Sequence, residues 1–196
     1  MSFEDFSYPA VLNDLHLTLQ ERDLYDGVTP LALDAGFSNR LAIGAGVAQA
    51  TNTEKARSEL IIAPALLELR VMGIEYGLFS GVRLKAEPLA GLTGICDFLL
   101  TRGPIQSVMQ APFVAVTEAK NDNVRSGLGQ CIAEMVASRM LNEQSGIEGA
   151  VHGIATTGTT WLFLRLDGAV LTLDTREYTL AEIETIMGIL KAILTK

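Results

Sequence analysis

Three ionisable side chains interrupt two apolar segments, and together they could hold a metal ion. Asp97 lies within Gly-Ile-Cys-Asp-Phe-Leu-Leu, and Glu118, 21 residues further on, lies with Lys120 at the end of Val-Ala-Val-Thr-Glu-Ala-Lys. Charged groups in buried strands are costly unless a metal ion with its water or a salt bridge compensates them. Two hard oxygen ligands that leave several positions to water suit Mg²⁺ better than zinc.

The alternation in these segments predicts β-strands that would bring the acids together. Period-two alternation places Asp97 on one strand face with Ile95 and Leu99. In the next strand the same alternation predicts one face for Val114, Val116, Glu118 and Lys120. The residues at 102–104 and a short polar loop predict an antiparallel hairpin, in which Asp97 and Glu118 can converge.

The rest of the chain predicts a single α/β domain over 1–196. The first fifty residues are the least informative: Leu15, Leu17 and Leu19 alternate as in a strand, and 41–49 is small and apolar. Predicted strands lie at 76–85, 93–101, 112–120, 151–157, 159–166 and 169–174. Predicted helices lie at about 53–70, with Asn52 or Thr53 as the cap and a kink at Pro64, and at 126–141 and 180–194.

The acids and the lysine resemble the PD-(D/E)xK nuclease superfamily, whose signature is an Asp on one strand and Glu-x-Lys on the next. Asp97 and Glu118-Ala119-Lys120 match this signature, whereas Cys96 stands where the named motif has a proline. The resemblance implies that Asp97, Glu118 and the backbone carbonyl of Ala119 hold Mg²⁺ or Mn²⁺. It implies that Lys120 orients the attacking water or neutralises developing charge.

Two further elements of that superfamily occur in the same order along the chain. Glu59 matches a glutamate on the helix before the sheet and would reach a metal ion through water, and Gln130 matches a glutamine on the following helix and would orient a ligand or the lysine. The resemblance covers about 53–141. It implies a restriction-endonuclease-like fold, in which helices flank a mixed β-sheet.

Each of these residues also has an ordinary structural interpretation. Asp97 and Glu118 could be surface acids paired with Lys120, and Gln130 could be a solvated or capping residue near a helix start. For Glu59, an inward direction is favoured by the helical face that it shares with Ile62, Ala63 and Leu66.

The net charge of −8 argues against a protein that coats nucleic acid without specificity, because such binding needs excess Lys and Arg. Between 55 and 139, however, nine basic residues stand against eight acidic ones, so the acidity lies mainly elsewhere. The candidates for phosphate contacts are Lys55, Arg57, Lys85 and Arg125.

The resemblance therefore implies a Mg²⁺-dependent nuclease that acts on DNA or, as the second choice, RNA. The alternatives are a catalytically silent module of the same fold that binds nucleic acid or a protein partner, and an unrelated α/β binding protein.

Cys96 and Cys131 lack CxxC spacing, which favours the reducing cytoplasm, and no apolar segment is long enough to cross a membrane. The mean hydropathy of +0.29 favours a homodimer.

Overall fold

A computed structural model describes residues 2–86, 92–103 and 107–195, which form a seven-stranded mixed sheet with helices on both faces. The strands are β1 (Thr18–Arg22), β2 (Tyr76–Lys85), β3 (Thr93–Arg102), β4 (Phe113–Ala119), β5 (Val151–Thr156), β6 (Thr160–Asp167) and β7 (Val170–Thr179). The α-helices are α1 (Ala10–Asp14), α2 (Ala35–Thr51), α3 (Glu54–Arg57), α4 (Ala63–Val71), α5 (Leu128–Gln144) and α6 (Ile183–Thr195). The predicted α/β class is confirmed.

The sheet order is β1-β7-β6-β5-β4-β3-β2. Strands β2, β3 and β4 form an antiparallel meander, so the predicted hairpin is confirmed. Helix α5 then connects β4 to its parallel neighbour β5, as a parallel pair requires a crossover connection. Strands β5, β6 and β7 are antiparallel, and β1 pairs in parallel with β7.

Two large apolar cores cover the two faces of the sheet. One core packs α5 and the N-terminal residues Phe3 and Phe6 against the sheet. The other packs α4 and α6 against the opposite face, around the fully buried Trp161. Helix α5 begins after a 3-10 turn at Val124–Gly127, directly beside the end of β4. The helix therefore lies against the strand that carries Glu118.

Two irregularities correct the predicted strand faces. The register of β3 against β4 shifts between Leu100 and Thr101, and Val114 consequently packs on the α6 side of the sheet while Val116 packs on the α5 side. A shift of one residue reverses the side-chain direction, so the predicted common face of Val114 and Val116 is wrong.

The second irregularity lies at Asp97. Cys96 and Leu99 are three residues apart and pack in the same core, although strict alternation would place their side chains on opposite faces of the sheet. Ile95 is half exposed. On β2, Gly81 lies between the pairs that bracket Asp97 and has a φ of +63°, a backbone conformation that glycine adopts without strain. The predicted common face of Ile95, Asp97 and Leu99 is therefore divided.

The helix that precedes the sheet is interrupted by a π-helical turn and does not simply bend at Pro64 as predicted. A π-helical turn at Ser58–Ile62 separates α3 from α4, and Pro64 cannot donate a backbone hydrogen bond to the Leu60 carbonyl. That carbonyl lies against α2, where a Cβ at Gly44 would be 2.5 Å from its oxygen. Helix α2 itself was missed by the sequence analysis because its small residues carry little periodic contrast.

Within the described residues, no helix has the length and apolar character needed to cross a membrane.

The contact between α5 and the N-terminal segment predicts opposite effects of two Gly→Ala substitutions in helices. A Cβ at Gly129 would lie 2.3 Å from the Phe6 carbonyl oxygen, whereas a Cβ at Gly46 of α2 meets no atom within 4 Å. Gly129→Ala should therefore lower the free energy of unfolding by about 1–3 kcal/mol through overpacking. Gly46→Ala, the matched control, should raise it by about 0.5–1 kcal/mol. Urea unfolding measures both, and equal effects would contradict the packing described here.

Candidate functional site

Asp97 and Glu118 meet where the backbone pairing of β3 with β4 ends. The last paired residues are Phe98 and Thr117, and beyond them the Asp97 Oδ2 accepts a hydrogen bond from the Ala119 backbone N–H at 2.8 Å. The Asp97 carboxylate thus accepts the hydrogen bond that a backbone carbonyl of β3 would accept if the pairing continued. Because the N–H and C=O of a strand residue point towards the same neighbouring strand, the Ala119 carbonyl also lies on the Asp97 side.

Glu118 is held by two partners although it is only 1% exposed. Its Oε1 accepts a hydrogen bond from Lys120 Nζ at 2.5 Å, and its Oε2 accepts one from Gln130 Nε2 at 2.8 Å. Lys120 lies two residues after Glu118, just beyond the end of β4, and its backbone N–H bonds to the Thr156 carbonyl at 2.8 Å. The two side chains consequently leave the strand in the same direction.

Gln130 connects this pair to a second buried acid on α5. Its Nε2 also donates to Glu134 Oε1 at 3.1 Å, and its Oε1 lies 3.5 Å from Lys120 Nζ. Gln130 and Glu134 are four residues apart and therefore share one face of the helix. Glu134 is 0% exposed, and its Oε2 has no hydrogen-bond partner at ordinary distance among the described residues.

The site therefore includes a residue that sequence analysis did not select. The i, i+4 spacing of Gln130 and Glu134 predicts that both lie on one stripe of the helix. What the sequence did not reveal is that this stripe packs on the end of β4, since an acid on an amphipathic helix normally faces solvent.

Burial changes the protonation of the two glutamates. Burial and the charge of Asp97 raise the pKa of Glu118 to about 7, against the opposing effect of its hydrogen bond to Lys120. Burial, and then the charge of Glu118, hold the pKa of Glu134 well above its ordinary value, although the hydrogen bond from Gln130 opposes this. Burial therefore favours the protonated form of Glu134.

Asp97 and Lys120 respond to the same surroundings. Burial raises the pKa of Asp97, against the opposing effects of the Ala119 N–H and the Lys120 charge. Burial alone would lower the pKa of Lys120, but the hydrogen bond and charge of Glu118, followed by the charges of Glu54 and Asp97, raise it. Lys120 is thus a cation at neutral pH and balances part of the surrounding negative charge.

These side chains border an open cleft of about 530 Å³. The N-terminal segment, the start of α3, β3, β4 and the start of α5 contribute its lining, which consists of Glu4, Phe6, Glu54, Ile95, Asp97, Glu118, Lys120, Ser126 and Gln130. The structure thus brings together Asp97, Glu118, Lys120 and Gln130 as the sequence predicted. Their chemical roles stay predictions.

Glu59 does not join this cleft, which corrects its predicted position. Its side chain is 60% exposed, forms an ion pair with Lys55 at 3.2 Å and lines a different, apolar depression between α2 and α4. The prediction assumed 3.6 residues per turn, but the π-helical turn at Ser58–Ile62 changes the direction of each side chain within it. Glu54, the first residue after the Thr53 N-cap, lines the cleft instead.

Of the residues predicted to contact phosphate, Arg57 has a structural role instead. Its guanidinium is largely buried and donates to Asn121 Oδ1 at 3.2 Å, the Thr157 carbonyl at 3.0 Å and Asn52 Oδ1 at 3.1 Å. These contacts fasten α3 to the loops that follow β4 and β5, so the side chain is not available to a phosphate.

The other three basic candidates lie on the surface. Lys55 is committed to Glu59, and Arg125 forms an ion pair with Glu177 at 3.0 Å. Lys85 ends β2 and is exposed. Ion pairs between exposed groups are weak, so an incoming phosphate can displace them at little cost.

A second cleft of about 590 Å³ lies at the opposite end of the sheet. Tyr25 and His152 meet there, with the tyrosine oxygen 3.0 Å from the histidine Nδ1, and Arg165 is paired with Asp167 at 2.6 Å. His152 begins β5 near the start of β4, whereas Glu118 lies near the end of β4. The two clefts are therefore separate.

Within residues 2–86, 92–103 and 107–195, no group of three or more His, Cys, Asp or Glu side chains is arranged to hold a metal ion. Cys96 and Cys131 are free and buried. Comparison with protein-family models, curated proteins and solved structures finds no match to this chain.

The raised pKa values of Glu118 and Glu134 predict that the metal-free protein loses stability as pH rises. The folded chain holds more protons than the unfolded chain, so the contribution of Glu118 is complete below pH 4.5 and is lost as pH rises from there through about 7. Each such group changes the unfolding free energy by at most about 1.4 kcal/mol per pH unit. Glu134→Gln removes one of them, and its stability should fall less steeply with pH.

Urea unfolding in the presence of EDTA, between about pH 5 and pH 8, measures this slope. Glu143→Gln is the matched control, because Glu143 lies on the same helix with a side chain that is 55% exposed. Parallel stability profiles for Glu134→Gln and the wild type would show that Glu134 is not held protonated.

Proposed function

We propose that this protein is a Mg²⁺-dependent nuclease of the PD-(D/E)xK type, which hydrolyses phosphodiester bonds of DNA or RNA. One observation carries the proposal: Asp97, Glu118, Lys120 and Gln130 converge on one cleft although they come from two strands and a helix. The order of these elements, with Asp on one strand, Glu-x-Lys on its antiparallel neighbour and Gln on the next helix, supports the resemblance found in the sequence.

The donor atoms in the cleft fit a hard divalent cation. Asp97 and Glu118 supply carboxylate oxygens, and the carbonyl of Ala119 lies on the same side of the strand. Mg²⁺ is usually bound by one or two carboxylates and keeps several waters, so a third acidic side chain is not required. A bound Mg²⁺ would polarise the phosphoryl oxygen and lower the pKa of a coordinated water.

Lys120 is the chain's own contribution to charge stabilisation. Its side chain is 23% exposed, which places the ammonium at the boundary between the buried Glu118 and the open cleft. From there it can donate a hydrogen bond to a phosphate oxygen or orient a water. Donors fixed before the reaction stabilise developing negative charge without reorganisation.

The two carboxylates, Asp97 and Glu118, differ in their exposure to solvent. Asp97 is partly exposed, whereas Glu118 is almost fully buried behind Lys120 and Gln130. A phosphate would therefore approach from the side of Asp97 and Lys120.

The unpaired, buried thiols of Cys96 and Cys131 suit a reducing compartment, and we propose the cytoplasm as the place of action.

A second candidate is a catalytically silent module of the same fold that binds nucleic acid or a protein partner. It is favoured by the ion pairs that already occupy Lys55 and Arg125, by the burial of Arg57, and by Glu4 and Glu54 at the rim of the cleft. These features leave little free positive charge for a polyanion, so within this candidate they favour a protein partner over nucleic acid.

Cleavage of single- and double-stranded DNA and RNA oligonucleotides in the presence of Mg²⁺ tests the first proposal. Lys120→Met keeps most of the aliphatic chain and removes the charge, and it should lower the cleavage rate by about 100- to 1,000-fold. Lys191→Met is the matched control, because Lys191 is exposed on α6, which covers the opposite face of the sheet, and it should cleave at the wild-type rate. An unchanged rate in Lys120→Met would exclude the proposed role.

Calorimetry with Mn²⁺ separates the two candidates without a choice of substrate. The nuclease should bind Mn²⁺, and Asp97→Asn should bind it at least about 10-fold more weakly while remaining folded by circular dichroism. A wild-type protein that binds no Mn²⁺, either alone or with an oligonucleotide present, would favour the silent module.

A further inference from the structure

We propose that Glu134 is a positioning residue that fixes the amide of Gln130, and through it the catalytic pair Glu118 and Lys120. This inference rests on the proposed function. Glu134 is fully buried and is not among the residues that line the cleft, so it acts through Gln130 rather than on a substrate.

The hydrogen bonds of Gln130 favour one orientation of its amide. Its Nε2 carries two hydrogens, and these reach Glu118 Oε2 at 2.8 Å and Glu134 Oε1 at 3.1 Å. Its Oε1 faces the ammonium of Lys120 at 3.5 Å. Two acceptors lie on one side of the amide and one cation lies on the other.

A flipped amide would be unfavourable at Glu118, where two oxygens would meet, and at Lys120, where the NH₂ group would face an ammonium. The Gln130 oxygen would then face the oxygens of Glu118 and Glu134, and its NH₂ group would face Lys120. Without the Glu134 acceptor, only Glu118 would favour the observed orientation on the carboxylate side. Because Glu134 is 0% exposed, no solvent reaches this position to replace the missing acceptor.

Besides the hydrogen bond from Gln130, Glu134 interacts with the buried carboxyl group of Glu118. Its Oε2 has no partner at ordinary distance among the described residues, and an unsatisfied buried polar atom costs free energy. Cys131 and Cys96, two buried and uncharged residues, lie near enough to be affected by its charge. Among the described residues, the hydrogen bond from Gln130 Nε2 at 3.1 Å is the contact of this carboxyl group that has an ordinary hydrogen-bond distance.

The consequence for the site is a fixed geometry at Glu118 and Lys120. Gln130 bonds to one oxygen of Glu118, and Lys120 bonds to the other. If Gln130 rotates, the Glu118 carboxylate loses one of its two restraints. Removal of a group that hydrogen-bonds to a metal-binding residue and fixes its orientation typically lowers metal affinity or activity by about 10- to 100-fold.

The side-chain NH₂ resonances of Gln130 in the metal-free protein provide a readout that does not depend on activity. The wild type should show one narrow, well-dispersed pair of signals, assigned by their loss in Gln130→Met. Glu134→Gln, which retains a side-chain oxygen acceptor, should keep that pair. Glu134→Leu should shift the pair towards the values of a solvated amide or broaden it, while Glu143→Leu on the same helix should leave it unchanged.

A double-mutant cycle distinguishes positioning through Gln130 from a general effect on folding. Glu134→Leu should lower Mn²⁺ affinity or the oligonucleotide cleavage rate by about 10-fold or more in the wild-type background, but by less than about 2-fold in the Gln130→Met background. Glu134→Ala replaces Glu134→Leu if the larger side chain prevents folding. Equal losses in both backgrounds, or unchanged Gln130 signals in Glu134→Leu and Glu134→Ala, would overturn the proposal.

A different set of results would contradict the proposed function. A wild-type protein that neither binds Mn²⁺ nor cleaves any oligonucleotide would contradict the nuclease. The NH₂ signals of Gln130 would still report whether Glu134 fixes its amide, so the two proposals can fail separately.

Discussion

The carboxylate of Glu118, buried near the end of a fully buried strand, is the constraint that organises this end of the molecule. A carboxylate with 1% exposure needs compensation from neighbouring groups, and the chain supplies it from two directions. Lys120 contributes charge from just beyond the end of the same strand, and Gln130 contributes a hydrogen bond from α5. Helix α5 must therefore start beside the end of β4, as the 3-10 turn at Val124–Gly127 ensures.

The same constraint explains why Asp97 belongs to the site. The alternation of β3 is interrupted at Asp97, and its side chain reaches the Ala119 N–H just beyond the last paired residues of β3 and β4. Two carboxylates are thereby held near each other by backbone geometry, and the pKa of each is raised. Such an arrangement costs stability in the absence of a compensating cation, which is typical of a site selected for binding or chemistry.

The sequence predicted the elements that have strong periodicity. The three meander strands, α5, β5 and β6 were found within a few residues of their observed bounds, since their apolar residues alternate or recur clearly, whereas β7 was predicted to end at 174 and continues to Thr179. The convergence of Asp97 with Glu118 followed from the hairpin alone. Helix α2 was missed because Ala and Gly dominate it, and such residues distinguish poorly between a buried helix and an apolar loop.

The errors at the site have a common physical origin in local departures from ideal geometry. A π-helical turn moved Glu59 away from the cleft and left Glu54 facing it, and register shifts moved Val114 to the other side of the sheet. Arg57 looked like a surface cation because the sequence does not reveal that Asn121 and the Thr157 carbonyl surround it. Long-range contacts of this kind cannot be inferred from the spacing of residues along the chain.

Anomalous diffraction from crystals grown with Mn²⁺ tests the central claim most directly, because it locates the ion without reference to a substrate. We expect a peak in the cleft in contact with one oxygen each from Asp97 and Glu118 and with the carbonyl of Ala119. A cleft without a peak, in crystals that hold Mn²⁺ and an oligonucleotide, would contradict the assignment of this site as a divalent-cation centre.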